Sequence, residues 1–418
     1  MLLLTLACAP TTTALPPGDP GDALIRGPRV LWEAQVGRLS WRSPMVLDGR
    51  QLLVPSNGET WGEGPDPLDG LWVLDAAKGR PLQQLTVPPS EAAKESDVNG
   101  VLVTDAGWTV STDQNGMLSW NRDGELLWQV FQSADIEFPP TLWESPDGPR
   151  ILGAPERSRH LSVVDPSVAT GTLKPYPPVE GSGVSQLTPA RDFEKAFSQV
   201  ASGDLNGDGV QDLVVAGRHS HLLIALDGAT QTELWRHKSY YYEASPQIVD
   251  VDGDGQPEVL SAFGSTVVIA DGATGKPKLL YSTPGALNGR VHTFTWWAEA
   301  QCLVIPRSRT DANVSCVSLE GEVVWSVPIL AQRISSTPTL ADVDGDGASE
   351  VIVATEGGQV LALDQRGQLL WSWSAPAAIE APVLAADLTG NGRVELVVAS
   401  HDGFVRALKT PGLAGGAQ

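Results

Sequence analysis

The sequence predicts an all-β fold built from one repeated four-stranded unit, and three observations carry that expectation. The segments SPQIVDVDGDGQPEVLSAF, TPTLADVDGDGASEVIVAT and APVLAADLTGNGRVELVVAS align along their whole length, and SGDLNGDGVQDLVVAG is a further copy. Their first acids, Asp204, Asp250, Asp342 and Asp387, stand 46, 92 and 45 residues apart, so one degenerate unit must lie near residue 296. It does: HTFTWWAEAQCLVIP keeps the strand pattern and loses the acids. Each unit reads as four short β-rich runs punctuated by Gly/Asp turns. Four strands per repeat of about 45 residues is the signature of a β-propeller blade.

The blades follow in order. Outer strands are expected at residues 30–36, 81–87, 125–131, 172–177, 233–238, 278–282, 322–327 and 368–374. Inner strands are expected to start near Pro44, Val98, Pro139, Ser198, Pro246, Val291, Pro338 and Pro382. Both sets number eight; seven blades remain an alternative, because residues 40–200 repeat loosely. The last unit stops at Leu408 without a fourth strand, while VLWEAQV (30–36) is an outer strand with no blade before it. Pairing the two closes the ring and leaves no open edge. The expected organisation is a tether over 1–28, one propeller over 29–410 with the acidic-loop blades within 197–408, and a tail over 411–418.

Composition narrows the function. With 28 Lys+Arg against 50 Asp+Glu the net charge is −22, which repels phosphate and argues against nucleic acid as a partner. Apolar residues make up 42% and charged residues only 19%, so the chain is globular. No apolar run is long enough for a transmembrane helix. The start, MLLLTLAC, resembles the end of a bacterial lipoprotein signal, with Ala7 before Cys8; that resemblance implies a lipidated Cys8 and a membrane tie by lipid alone. The Pro/Thr/Gly-rich stretch that follows suits a flexible tether. Cys302 and Cys316 flank a hairpin turn and can either form a cross-strand disulfide, which requires an oxidising compartment, or remain two buried thiols.

The acidic loops are the chemical signal. Asp204, Asn206, Asp208 and Asp212 stand at positions 1, 3, 5 and 9 of one loop; Asp250, Asp252, Asp254 and Glu258 repeat the pattern, as do Asp342, Asp344, Asp346 and Glu350. Calcium takes six to eight hard oxygens, and a tight Gly-containing loop can wrap them round one ion, with the position-7 carbonyls of Val210, Gln256 and Ala348 completing the set. A plain Asp/Gly turn gives no reason for the ninth-position acid. The loops resemble those of integrin-type FG-GAP (VCBS-like) propeller repeats, and the resemblance implies Ca2+ in the three intact loops. The fourth, Asp387, Thr389, Asn391 and Glu395, has lost two carboxylates and gained Arg393, and is expected weak or empty. A second resemblance rests on Leu226-Asp227-Gly228-Ala229-Thr230 with Leu234-Trp235, on Ala270-Asp271-Gly272-Ala273-Thr274-Gly275, and on Leu74-Asp75-Ala76-Ala77-Lys78-Gly79. These look like PQQ-type repeats, a family that includes quinoprotein dehydrogenases and cofactor-free outer-membrane scaffolding lipoproteins. The matching residues are turn and docking positions, so they imply fold and not cofactor.

The six histidines show no metalloprotease spacing, and neither a Gly-x-Ser-x-Gly elbow nor a P-loop occurs. In an up-and-down blade the calcium loops share one face with the third turns. The opposite face, of second turns and inter-blade connections, carries Trp41, Trp61, Arg218, His219, His221, Tyr240, Tyr241, Tyr242 and His401. Aromatics with Arg and His suit sugar or protein recognition, or else fill gaps between blades. The expectation is a monomeric, non-catalytic, calcium-stabilised propeller in the bacterial envelope or secreted, recognising a protein or glycan in adhesion or assembly. The rivals are a secreted carbohydrate-active enzyme, a polysaccharide lyase or hydrolase, and, behind it, a quinoprotein oxidoreductase.

Overall fold

A computed structural model of the chain describes residues 27–59, 66–88, 97–113, 116–131, 135–156, 158–173, 180–193, 198–217, 221–238, 244–283, 293–307, 312–329 and 333–412. Cys8, Trp61, Arg218, His219, Tyr240, Tyr241 and Tyr242 lie outside the described residues, as do nearly all of the expected tether and tail.

The described strands form eight sheets, so the ring has eight blades rather than seven. In chain order the blades span 46–85, 98–130, 141–187, 201–238, 247–282, 295–328, 339–374 and 384–409. Strand Arg29–Gln35 pairs antiparallel with Phe404–Lys409, from Arg29 opposite Lys409 to Gln35 opposite Phe404, and so supplies the outer strand of the eighth blade. The two ends of the chain thus share one sheet, as the unpaired 30–36 segment foretold.

One expected strand is wrong. The outer strand of the third blade is Val184–Leu187, not 172–177. Residues Gly171–Leu173 instead run parallel to Leu126–Val130 as a fifth strand on the second blade. The segment 172–177 contains Pro175 and Pro177, which lack the amide donors a ladder needs. Val184-Ser185-Gln186-Leu187 contains no proline, and all four residues pair with Leu161–Val164.

Every blade is buried on both faces, which is why the inner strands read as nearly unbroken apolar runs. Side chains alternate across a strand. In the first blade Leu52, Val54 and Leu74 join the cluster shared with the eighth blade, whereas Leu53, Leu71 and Val73 join the cluster shared with the second. The remaining clusters repeat this scheme around the ring. Each fully buried Leu or Val contributes roughly 1.5–3 kcal/mol over its exposed state, and the ring collects that contribution at every interface.

A specific contact sets how blades meet. In seven of the eight blades the outer strand carries a bulge at one place: Leu31, Leu82, Leu127, Leu234, Lys278, Val324 and Leu370 are the extra residues. In four of these blades the residue after the bulge hydrogen-bonds to the third turn of the next blade. Trp32 Nε1 donates to Ala76 O at 3.0 Å, Trp235 Nε1 to Gly272 O at 2.6 Å, and Trp325 Nε1 to Gln365 O at 3.0 Å. Gln83 stands in for Trp once, and its amide reaches Arg122 O at 3.2 Å. The turn must be flat where the ring lands. Gly275, at φ +68°, lies so close to Trp235 that a Cβ there would come within 2.5 Å of the indole.

Loss of the closing strand should be distinguishable from loss of the tether. Removing residues 1–28 should leave a cooperatively folding monomer. Removing residues 1–36 uncovers the edge of Phe404–Lys409 and should give aggregation or a broadened transition in scanning calorimetry and gel filtration. Indistinguishable behaviour of the two truncations would rule out Arg29–Gln35 as a stabilising closure.

Candidate metal loops and ligand face

Each acidic loop joins the innermost strand of its blade to the next strand, and the four loops share one backbone scaffold. The first acid collects two amides, three and five residues on. Asp204 accepts from Gly207 N at 2.8 Å and Gly209 N at 2.9 Å; Asp250 from Gly253 and Gly255; Asp342 from Gly345 and Gly347; Asp387 from Gly390 and Gly392. The ninth acid is fully buried in all four and accepts the amide of the second residue, at 2.9–3.0 Å: Leu205 to Asp212, Val251 to Glu258, Val343 to Glu350 and Leu388 to Glu395. This corrects one step of the sequence argument, since the ninth acid has a role in every loop that needs no metal: it ties the loop to the strand that follows.

Positions 3 and 5 distinguish the loops. In 342–350 the carboxylate oxygens of Asp342, Asp344 and Glu350 lie within 4.8 Å of one another. Burial pushes Glu350 up to about 7, and the like charges of Asp344, Asp346 and Asp342 add to the rise against the pull of the Val343 amide. Asp344 is raised for the same reasons, burial first. Converging hard oxygens whose charges oppose one another are a donor set that would fit a calcium ion, with Ala348 as the residue that would offer the position-7 carbonyl.

Loop 204–212 gathers its acids less tightly. Asp212 is one methylene shorter than the glutamates, and both its oxygens are engaged, by Leu205 N and by Gly228 N at 2.8 Å. Burial raises its pKa, with Asp208 and Asp227 adding to the rise. Asp227 enters the site from the third turn, taking a 3.3 Å bond from the Asn206 amide. Asp204 and Asp208 each accept loop amides as their counterparts in the other loops do, and with Asp227 as an added acid the residues would fit a cation.

Loop 250–258 brings Asp250, Asp252 and Asp254 within 4.8 Å, yet Lys278 reaches into it. Its ammonium donates to Asp252 Oδ2 at 2.9 Å and to Glu258, and lies 4.0 Å from Asp254 Oδ2. Asp252 is held below the usual carboxylate range by that bond, and Lys278 is raised by Glu258 and then Asp252. In loop 387–395 Thr389 bonds Glu395 at 3.4 Å and Arg393 N bonds Asn391 at 2.8 Å, so hydrogen bonds hold the loop where carboxylates are missing.

On the opposite face, connections from around the ring converge at a cavity of 350 Å³ lined by Trp41, Arg42, Phe138, Gln247 and Phe294 among others. Trp41 meets Phe138 edge to face at 5.9 Å, and the Arg42 guanidinium lies 4.5 Å from the Trp41 ring centre while pairing with Glu137. A second cavity of 380 Å³ adjoins it, with Asn99, Asp113, Glu137 and Glu380 in its wall. His401 Nε2 stands 3.6 Å from Glu380 Oε2. Burial lowers the His401 pKa, as does the charge of Arg38, and burial raises that of Glu380 with help from Glu356; both shifts oppose a charged pair. His221 is half-buried in a second turn, at φ +57°. Of the described ligand-face residues, only Trp41 lines these cavities.

Sequence reasoning missed Lys278 and the acids of the mouth. Asp135, Glu137 and Glu156 bring carboxylates within 4.8 Å of one another there, with Glu156 N donating to Asp135 O. Lys278 could have been found by stacking the outer strands as the acidic loops were stacked, since it breaks a column of Leu and Val. Cys302 and Cys316 are disulfide-bonded with Cα atoms 5.6 Å apart. Each lies opposite a neighbour of the other, Cys302 facing Ser318 and Cys316 facing Val304, so the bridge crosses the ladder diagonally.

Comparison with known proteins agrees with this architecture. A family model described as an FG-GAP-like repeat matches residues 204–261, and a lambda-carrageenase beta-propeller domain model matches residues 305–385. No curated protein sequence matches the chain. Among solved structures, BamB from Moraxella catarrhalis superposes with a TM-score of 0.60 at 15% identity over 91% of this chain and 99% of its own. A europium-containing methanol dehydrogenase gives 0.66 at 12% over 89% and 84%. Saccharomyces cerevisiae Sqt1 gives 0.67 at 11% over 92% and 100%. The chain is a β-propeller with FG-GAP-like repeats, and its likeness to quinoproteins lies in the fold.

The raised Glu350 gives a pH signature. The folded chain holds that proton up to about 7, whereas the ordinary value is 4.5, so between them the folded state binds more protons and its stability falls as pH rises. In chelator, the wild type should lose more melting temperature than Glu350→Gln between about pH 5 and about pH 7.5. Parallel slopes would remove Glu350 as the cause.

Proposed function

We propose that the chain is a non-catalytic, calcium-stabilised propeller that works outside the cytoplasm in recognition, adhesion or assembly, tied to a bacterial envelope by a lipid on Cys8. The observation that carries this reading is the division of the ring into two faces. One holds the acidic loops, among them 342–350, whose carboxylates converge with no ion pair among the described residues; the other opens into a mouth where Trp41, Phe138 and Arg42 stand beside acids. A cation bound to the folded loops alone stabilises the fold by mass action, on the order of 2.7 kcal/mol per site at a hundredfold excess over Kd. The Cys302–Cys316 disulfide supports an oxidising compartment. An aromatic wall with fixed polar groups suits a protein or glycan ligand.

A second reading, a secreted carbohydrate-active enzyme, is favoured by the lambda-carrageenase propeller match over 305–385. A panel of neutral and acidic polysaccharides separates the two. Binding without new reducing ends, weakened by Trp41→Ala, is expected of a recognition module, while product release would transfer the protein to the enzymes.

Chelation should lower the melting temperature, and calcium should restore it better than magnesium, which prefers a tighter octahedron with retained waters. Melting indifferent to chelator at pH 7, with no calcium in the purified protein, would reduce the loops to acidic turns.

Fractionation tests the anchor. Cys8→Ser should move the protein from the membrane to the soluble fraction, and unchanged membrane association would remove the lipid.

A further inference from the structure

One of the two loops that match the calcium pattern most fully already holds a cation from its own chain. Loop 250–258 presents Asp250, Asp252, Asp254 and Glu258, as complete a set as 342–350. Yet Lys278 Nζ touches Asp252 and Glu258 and stands 4.0 Å from Asp254, against three of the four carboxylates that a bound cation would need. An ammonium and a divalent ion cannot share that position: the lysine would have to withdraw, giving up two charge-assisted hydrogen bonds, before calcium could enter.

The lysine arrives by a route that the other acidic blades also possess. It is the extra residue of the outer-strand bulge, between Pro277 opposite Ala270 and Leu279 opposite Ile269. In the fourth blade the same bulge holds Leu234, and in the seventh Leu370. Neither carries a charge, so their loops have no counter-ion from this position. Only the fifth blade places a cationic chain where the bulge leans over its own loop.

We propose that Lys278 is a built-in counter-ion that takes the place of calcium in loop 250–258, so that the repulsion among its acids is lessened without metal while the other intact loops bind the ion. The proposal rests on the reading that intact acidic loops take calcium, and corrects its extension to this one. The loop is then a chelator-resistant element within a calcium-dependent ring.

The test is calcium stoichiometry, by equilibrium dialysis with elemental analysis, on the full chain and four variants. Asp252→Ala should leave the number of bound ions unchanged. Lys278→Leu, the residue at the same bulge in the fourth and seventh blades, should raise it by one, and Lys278→Leu with Asp252→Ala should lose that gain. Lys278→Gln provides a polar variant if leucine disturbs folding, and should show the same gain. Loss of one ion in Asp252→Ala would overturn the proposal while leaving the calcium reading standing. An unchanged count in folded Lys278→Leu and Lys278→Gln would also overturn it, since the lysine would not be what excludes the ion. No calcium in any of the proteins would instead defeat the underlying reading, and the proposal with it.

Discussion

The ring depends on an indole resting on a tight turn. Each blade is a sheet with two apolar faces, which two flanking sheets can bury at many relative offsets. The outer-strand Trp removes that freedom: its ring lies on a glycine and its Nε1 donates to a carbonyl of the same turn, as Trp235 does on Gly275 and Gly272. Ring burial and a directional bond together fix both distance and register. Where Trp is absent, Gln83 keeps the hydrogen bond and Leu279 keeps the apolar contact, since a Cβ on Gly321 would lie 3.3 Å from it. The two halves of the interaction are therefore separable.

Closure shows what the arrangement costs. The third and outer strands of the eighth blade are Phe404–Lys409 and Arg29–Gln35, and among the described residues no turn links them to receive the indole of the seventh blade. Trp371 is 2% exposed, and its Nε1 has no hydrogen-bond partner among the described residues. An unpaired buried donor costs about 1–3 kcal/mol. The six ladder partnerships of Arg29–Gln35 with the last strand, and the burial of Trp32 against the first blade, offset it.

How much of this was legible follows from period and spacing. Eight blades, the terminal strand exchange and the loop register come from local repeats, which a stacked sequence displays. The third blade was misread because its outer strand lies beyond a proline-rich detour, and a repeat of fixed length has no means of measuring an excursion. The ligand mouth was legible only at Trp41. Its acids come from residues far apart in the chain, and Glu137 matters because Arg42, 95 positions away, is folded against it. Lys278 was hidden for a different reason: attention to the loop that carries the acids overlooked the strand that crosses above it.

The four acidic loops then read as four answers to one electrostatic problem. A turn tied at its first and ninth positions points two further side chains at a common centre. Acids at both, beside a buried glutamate, repel one another and need a positive charge. Loop 387–395 avoids the repulsion by holding Thr389 and Asn391. Loop 204–212 lessens it with Asn206 and the shorter Asp212, whose oxygens are spent on amides. Loop 250–258 meets it with Lys278. Among the described residues, only 342–350 leaves converging carboxylates whose buried member feels burial and like charges against a single amide bond. The acidic motif therefore specifies the turn, and what each turn does with a cation is decided by positions 3 and 5 and by the residue on the bulge of the outer strand.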